Sequence, residues 1–129
     1  MASEIRDGLY YSKEHEWVRL EGDIAVVGIT AYAAESLGDI IFVELPDVGS
    51  QVSKGDPVAT VESVKAASDV YSPVEGEIVE VNAELDQEPE MANRDPYGEG
   101  WFFKIKVGPA NAVKGLMDAQ GYNDYVNSL

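Results

Sequence analysis

The sequence predicts a single β-rich domain of the all-β or α+β class, with a few short helices and a helical carboxyl-terminal tail. Between residues 16 and 62, short runs rich in Val, Ile and aromatic residues are separated by Gly, Pro or Asp, as is typical of strands and turns. Hydrophobic residues make up 45% of the 129 residues, which is enough for one full core. Two domains of ordinary size would need a longer chain.

The first half of the chain predicts strands interrupted by one short helix. The segment 16–29, EWVRLEGDIAVVGI, indicates two strands joined by a Glu-Gly-Asp turn, and the second is apolar enough to be buried on both faces. Thr30 is a suitable N-cap for the helix AYAAESL, and Gly38 is a suitable terminator. The run DIIFVEL then predicts a strand that stops at Pro46.

Residues that alternate in polarity predict the strands of the second half of the chain. In the run VATVES at 58–63, odd and even positions would face opposite sides of a sheet, and EIVEV at 77–81 alternates in the same way. The segment 82–100 carries six acids against one Arg. We expect an ordered surface loop there, with a short helical turn at most, because two Pro and two Gly oppose a long element.

The end of the chain predicts one strand followed by helices. The run WFFKIKV at 101–107 has the composition of a strand. We expect a helix from about Ala110 to Met117 and a second short one near Tyr122 to Val126.

The charge and the lack of Cys exclude several classes of function. With 24 acidic and 9 basic residues the net charge is −15, which argues against binding nucleic acid or an anionic membrane surface. No stretch reaches the 18 or so apolar residues of a spanning helix. Without Cys there are no disulfides, thiol nucleophiles or thiolate metal sites. The amino terminus has the pattern of neither a signal nor a transit peptide, so we expect the cytoplasm, or the mitochondrial matrix for a processed eukaryotic form.

The chain offers few residues for catalysis or metal binding. It has one His, no Gly-rich phosphate loop and no Ser flanked as in a nucleophile elbow. His15 lies between Glu14 and Glu16, but alternation along a strand would point both carboxylates away from it. We therefore expect no metal site and no enzyme.

The segment ESVKAASDVYSP departs from the usual chemistry of a tight turn. Lys65 lies between two alternating runs, which predicts that it is at or near the tip of a β-hairpin. Its neighbours Val64, Ala66 and Ala67 lack the Gly or Asn that a primed two-residue turn prefers. A turn that lacks the preferred residues is a mild indication of function, although a Lys at a hairpin tip is most often a solvated amine.

The string VESVKAASDVYSPVEGEI resembles the lipoyl-lysine segment of glycine cleavage system H proteins. The resemblance continues through YYSKEHEWVR, VGIT, LGDIIFVELPDVG and NRDPYGEGWFFKIKV, in the family's order and spacing. Biotin carriers share the hammerhead fold but flank their lysine with Met, whereas here the neighbours are Val64 and Ala66. Lipoyl domains of 2-oxoacid dehydrogenases are similar around the lysine, but they lack the SKEHEW and DPYGEGW segments.

The resemblance implies a barrel-sandwich hybrid of the lipoyl/biotinyl hammerhead type, with its core at about 16–108 and a helical tail at about 110–129. It implies a carrier that is not catalytic, with lipoate in amide linkage to Lys65. This carrier would shuttle the aminomethyl group of glycine from the glycine decarboxylase P protein to the aminomethyltransferase T protein. The dihydrolipoyl dehydrogenase L protein would reoxidise the arm, and a lipoyl ligase or transferase would attach it. We expect a monomer.

The resemblance also implies residues that shelter the lipoyl arm while it carries the aminomethyl group, which we call the loaded arm. Glu16 and Asp69 would place carboxylates near its ammonium group, and a nearby carboxylate favours the charged form of an amine. Ser36 stands where some family members have a His that faces the arm. Its hydroxyl can form hydrogen bonds but cannot titrate near neutrality.

Two alternatives remain from the sequence alone. The chain would serve as a relay if it handed its lipoyl group to other enzymes instead of processing glycine. It would be a simple binding module if it were never lipoylated.

Overall fold

The computed structural model describes residues 5–108 and 113–129, and strands predominate in them. The elements in chain order are β1 (Tyr10–Tyr11), β2 (Glu16–Glu21), β3 (Ile24–Ile29), α1 (Ala31–Leu37), β4 (Ile40–Glu44), β5 (Gln51–Val52), β6 (Pro57–Ser63), β7 (Ala67–Tyr71), β8 (Gly76–Val81), α2 (Glu84–Gln87), α3 (Met91–Arg94), β9 (Phe103–Lys106) and α4 (Ala119–Asn127). The predicted β-rich class with short helices and a carboxyl-terminal helix is confirmed.

Two antiparallel sheets contribute to one main hydrophobic core. The larger sheet has the strand order β1-β2-β3-β9-β8-β5, and the smaller has the order β4-β6-β7. Val27 and Ile105 from the larger sheet belong to the same buried cluster as Val61 and Val70 from the smaller one. The two sheets fit the expected barrel-sandwich hybrid.

The predicted elements of the first half are confirmed. β2 and β3 pair from Glu16 opposite Ile29 to Glu21 opposite Ile24, which leaves a tight turn between them. The Thr30 side chain caps α1 by accepting a hydrogen bond from the backbone of Ala33. Gly38 ends α1 with a φ of 77°, a left-handed conformation that favours glycine.

The predicted alternation of β6 is confirmed as well. Ala59, Val61 and Ser63 are buried, and the residues between them are more exposed. This places one face of β6 on the core and the other toward solvent.

The acidic segment 82–100 is an ordered loop that holds two short helices, α2 and α3, rather than a single helical turn. The Asn82 side chain closes it by donating hydrogen bonds to the carbonyls of Glu99 at 2.7 Å and Trp101 at 2.8 Å. Asn82 is buried, so these bonds satisfy an amide that would otherwise be costly inside the protein.

The helix expected from Ala110 to Met117 is wrong where the structure describes it. Residues 109–112 lie outside the described residues. Residues 113–115 form a turn, and Gly115 has a φ of 88°, which is incompatible with a right-handed helix. We call residues 113–117 the carboxyl-terminal strap.

The end of the strap pairs with β1 instead of forming a helix. Tyr11 donates its backbone N–H to the Met117 carbonyl at 2.7 Å, and Met117 donates to the Tyr11 carbonyl at 2.8 Å. Backbone groups that a helix would have satisfied internally are therefore satisfied by a strand.

The second expected helix, Tyr122 to Val126, is confirmed within α4, which the Asp118 side chain caps. Tyr122 is fully buried and stacks on Tyr11 with ring centroids 4.6 Å apart. Its hydroxyl lies 2.8 Å from Thr30 Oγ1. α4 is therefore fixed against the start of the larger sheet. No helix in the described parts of the chain combines the length and the apolar character that crossing a membrane requires.

Candidate functional site

Lys65 lies at the tip of the β6–β7 hairpin, as predicted. Only Val64 and Lys65 separate Ser63 from Ala66, whose carbonyl accepts a hydrogen bond from the Ser63 N–H at 2.8 Å. Val64 and Lys65 are both exposed. Among the described residues, His15 is the only non-glycine residue with a positive φ, so the turn is not of the primed type.

Hydrogen bonds to the Ser63 hydroxyl fix the backbone of this turn. Its Oγ accepts hydrogen bonds from the backbone N–H groups of Lys65 at 3.2 Å and Ala66 at 3.1 Å. It also lies 3.2 Å from the Ala66 carbonyl, to which it can donate. The sequence analysis missed Ser63, although a Ser at the start of a turn is a recognised signal for this kind of local hydrogen bonding.

The end of helix α1 lies beside the tip. A Cβ placed on Gly38 would be 3.2 Å from Cε of Lys65 and 3.7 Å from its Nζ, so the lysine side chain passes close over this glycine. The Val64 N–H also donates to the Asp39 carbonyl at 3.1 Å. Ser36 is exposed in the last turn of α1, and within the described structure no hydrogen bond joins it to Lys65.

Glu16, at the start of β2, is a buried carboxyl group with only 2% of its surface exposed. The Ser12 hydroxyl lies 2.5 Å from Oε1, and the Tyr71 N–H donates to Oε2 at 3.2 Å. Burial raises the pKa of Glu16 to about 7, while the hydrogen bonds from Ser12 and Tyr71 oppose that rise. Glu16 is therefore poised to change charge near neutral pH.

Glu16 lines a cavity of about 240 Å³ that lies between one end of the larger sheet and one end of the smaller sheet. One part of the wall comes from residues 11–14 and Glu16, and another runs from Tyr71 at the end of β7 to Pro73. Residues 115–117 of the strap complete it, together with Lys54 and Gly55. The cavity thus combines a buried carboxyl group with apolar side chains from the strap.

Asp69 differs from Glu16 because it is exposed on β7. The Thr60 hydroxyl lies 3.4 Å from its Oδ1, and the two residues are register partners. Asp69 and Tyr71 lie on the same face of β7 because they are two residues apart. The structure therefore places Asp69 between the hairpin tip and the Glu16 cavity, but it does not bring the two carboxylates into contact.

His15 does not continue a strand, so the strand alternation assumed for it is wrong. Its φ is 70°, and its Nδ1 lies 2.8 Å from the Tyr122 hydroxyl. Burial lowers the pKa of His15, with Glu14 acting in the opposite direction. Within the described residues no three His, Cys, Asp or Glu side chains are grouped as a metal site would require. His15 instead joins the loop before Glu16 to α4.

Comparison with known proteins identifies close relatives over nearly the whole chain. A family model described as "Glycine cleavage H-protein" matches residues 9–129. The glycine cleavage system H protein of Alteromonas mediterranea is 56% identical over 126 residues, covering 97% of this chain and 98% of the relative. That of Chromobacterium violaceum is 60% identical over 121 residues, covering 93% and 94%. A crystal structure of a glycine cleavage system H protein from Mycobacterium marinum superposes with a TM-score of 0.86 at 38% identity, covering 97% of this chain and all of that one.

Proposed function

The chain belongs to the glycine cleavage H-protein family, and from this premise we propose that Lys65 carries a lipoyl group in amide linkage. As a member of the family it is the lipoyl carrier of the glycine cleavage system. The observation that carries the assignment to Lys65 is its place at the exposed tip of a two-residue turn whose backbone Ser63 fixes. Bound there, lipoate supplies a disulfide that is reduced when it accepts the aminomethyl group of glycine.

The surroundings of Lys65 fit such an arm. Among the described residues Lys65 takes part in no ion pair, so its amine is available for acylation. A lysine side chain joined to a lipoyl chain spans about a dozen bonds, which is roughly 15 Å at about 1.2 Å per bond. β7 begins at Ala67, and at about 3.3 Å per residue Asp69 lies roughly 7 Å and Tyr71 roughly 13 Å along the strand from its start. The arm therefore reaches the region between Asp69 and the Glu16 cavity.

We propose that Glu16 and Asp69 shelter the ammonium group of the loaded arm. Glu16 is buried without a basic partner among the described residues, so an ammonium group beside it would stabilise its charged form. Asp69 provides an exposed carboxylate on the way to the cavity. Ser36 remains a proposed contact of the arm, supported by the approach of Lys65 to Gly38 at the end of α1.

We propose that the protein is a carrier without catalytic activity, acting as a monomer. Its partners would be the P, T and L proteins and the ligase or transferase that lipoylates it. The net charge of −15 supports partner surfaces that are basic around the entrance for the arm, because complementary charge speeds association. Since the named relatives come from bacteria, we propose the cytoplasm as its location.

The assignment of Lys65 is tested by lipoylating the purified protein with a lipoyl ligase, lipoate and ATP. Lys65→Arg keeps the positive charge but removes the acylatable amine. Lys54→Arg is the matched control, because Lys54 is a second exposed lysine that lies in a turn. Intact mass should show one lipoyl group on the wild type and on Lys54→Arg, and none on Lys65→Arg. A lipoyl group retained by Lys65→Arg would contradict the assignment.

Processing of glycine is tested separately, with P protein and labelled bicarbonate. The lipoylated protein should support exchange of the label into glycine. A lipoylated protein that supports no exchange, but donates its lipoyl group to other apoproteins, would be a relay.

A further inference from the structure

We infer that Ser12 is a positioning residue that acts through Glu16, holding its carboxylate ready for the ammonium group of the loaded arm. This inference rests on the proposed function of Glu16 and adds to it a residue that the sequence analysis did not single out. Both side chains line the same cavity. Two hydrogen bonds join Ser12 Oγ to Glu16 directly, one to its carboxylate and one from its N–H.

The backbone around Ser12 holds both residues in one small loop. Ser12 donates its N–H to the Glu16 carbonyl at 2.9 Å, and His15 donates its N–H to the Ser12 carbonyl at 3.1 Å. The left-handed backbone of His15 makes this tight loop possible. The backbone therefore holds Ser12 and Glu16 next to each other, so that their side chains meet over a short span.

The Ser12 hydroxyl has one proton, and the geometry directs it to Glu16. Its oxygen already accepts the Glu16 N–H at 3.1 Å. The remaining partner is Glu16 Oε1 at 2.5 Å, a separation typical of a hydroxyl that donates to an ionised carboxylate. Because the Tyr71 N–H binds the other oxygen, both carboxylate oxygens have a donor.

Among the residues that the structure describes, few charged groups line the cavity around this carboxyl group, which makes the Ser12 bond important. Lys13 and Glu14 come from the same loop, and Lys54 comes from the turn before β6. Glu14 favours the protonated form of Glu16, and the Lys54 amine donates to the Lys114 carbonyl instead. The strap residues on the cavity, 115–117, are uncharged, and Tyr11 and Tyr71 provide the aromatic wall.

The Ser12 hydroxyl is the only one of the two donors that a substitution can remove, because the Tyr71 donor is a backbone group. Removing it leaves a buried carboxylate with a single hydrogen bond, which disfavours the charged form. Glu16 would then carry less charge at neutral pH and hold the ammonium group of the arm less well.

The test is a carbon NMR titration of the Glu16 carboxyl group in unlipoylated protein. The wild-type pKa is raised to about 7, and Ser12→Ala should raise it further by about one to two units. Ser12→Thr keeps the hydroxyl and should restore the wild-type value. Ser72→Ala is the matched control, since Ser72 is buried on the same cavity but donates to the Val74 carbonyl, and it should leave the titration of Glu16 unchanged.

Ammonia release from lipoylated protein, loaded by P protein and glycine, is the second measurement. Ser12→Ala should speed release severalfold, and Ser12→Thr should return it to the wild-type rate. If Ser12→Ala does not fold, Ser12→Cys replaces it, because a thiol is only a weak donor and should shift the titration in the same direction.

The two proposals fail in different ways. A Glu16 titration that is the same in Ser12→Ala and wild type would overturn the role of Ser12. Wild-type ammonia release by Glu16→Gln would overturn the role of Glu16 in sheltering the arm, whatever the Ser12 titration shows.

Discussion

The hairpin tip and the Glu16 cavity are held in place by different means. At the tip, Val64 and Lys65 are exposed, and their backbone is fixed by one hydroxyl from the same turn, that of Ser63. The Glu16 carboxyl group is buried, and its partners come from the preceding loop and from β7 of the other sheet. An exposed tip suits an amine that several enzymes must reach. A buried carboxyl group suits a place where a charge is kept from water.

The largest difference between the two regions should be that Glu16 makes the free energy of unfolding depend on pH. Folded Glu16 keeps its proton until about pH 7, whereas its ordinary pKa is 4.5. Between these values the folded state binds more protons than the unfolded state, so the free energy of unfolding falls as the pH rises. A difference of this size between the two pKa values changes the free energy of unfolding by about 3 kcal/mol.

Chemical denaturation at pH 4 and pH 8 measures this effect. Glu16→Gln should lose less stability than the wild type over that interval, because glutamine does not titrate. Asp69→Asn, which removes an exposed carboxylate, is the control for the loss of one negative charge. Parallel wild-type and Glu16→Gln curves would mean that burial does not raise the pKa of Glu16.

The next effect concerns the lifetime of the loaded arm. A charge-assisted hydrogen bond to a partly buried group is worth about 1.5–3 kcal/mol, so Glu16→Gln should release ammonia about ten to a hundred times faster. Asp69→Asn should accelerate release by less than about fivefold, because exposed charge pairs contribute about 1 kcal/mol or less. Free ammonia is followed without T protein. Equal acceleration in both variants would contradict the distinction between a buried and an exposed carboxylate.

At the tip, removing the turn hydroxyl should affect lipoylation without affecting the cavity. Ser63→Ala leaves the N–H groups of Lys65 and Ala66 without their acceptor and should lower the free energy of unfolding by about 1–2 kcal/mol. Lipoylation should slow, while the titration of Glu16 should not move. Ser68→Ala, which removes the hydroxyl of an exposed residue of β7, is the control. An unchanged lipoylation rate in Ser63→Ala would show that the turn need not be fixed.

The smallest effect should come from the glycine under the lysine side chain. Gly38→Ala and Gly22→Ala both place an alanine at a positive φ, of 77° and 65° respectively. The ψ of −155° puts Gly38 in a region that is almost restricted to glycine, so Gly22→Ala controls only for the positive φ, and a Cβ on Gly22 meets nothing within 4 Å. Displacing Lys65 from its rotamer costs about 0.5–1.5 kcal/mol. Lipoylation should therefore slow about two- to tenfold in Gly38→Ala alone. The same slowing in Gly22→Ala would indicate a general loss of stability instead.

The features that could be predicted from the sequence are those with local causes. The caps of α1 at Thr30 and Gly38 and the alternation of β6 depend on residues within a few positions of each other. The position of Lys65 at a hairpin tip follows from two neighbouring strands. Local propensity and periodicity are sufficient for such features.

The cavity could not be predicted because it depends on contacts between distant segments. The strap pairs with Tyr11 from the far end of the chain, and neither Ala110 to Met117 nor the β1 strand contains a signal for that pairing. Glu16 was named only through the family resemblance, since an acid that opens a strand is ordinarily solvated. Its burial, and the role of Ser12, follow from the left-handed turn at His15, which tertiary packing against Tyr122 stabilises.

The most direct test is whether the arm on Lys65 brings its ammonium group to Glu16. The pKa of the Glu16 carboxyl group is measured by carbon NMR in lipoylated protein before and after loading with P protein and glycine. A positive charge in the cavity should lower that pKa from about 7 by about one unit or more. Loading should leave the titration of Glu16 unchanged in Lys65→Arg, which has no arm. A Glu16 pKa that loading does not alter in the wild-type protein would contradict the proposal that the cavity receives the arm.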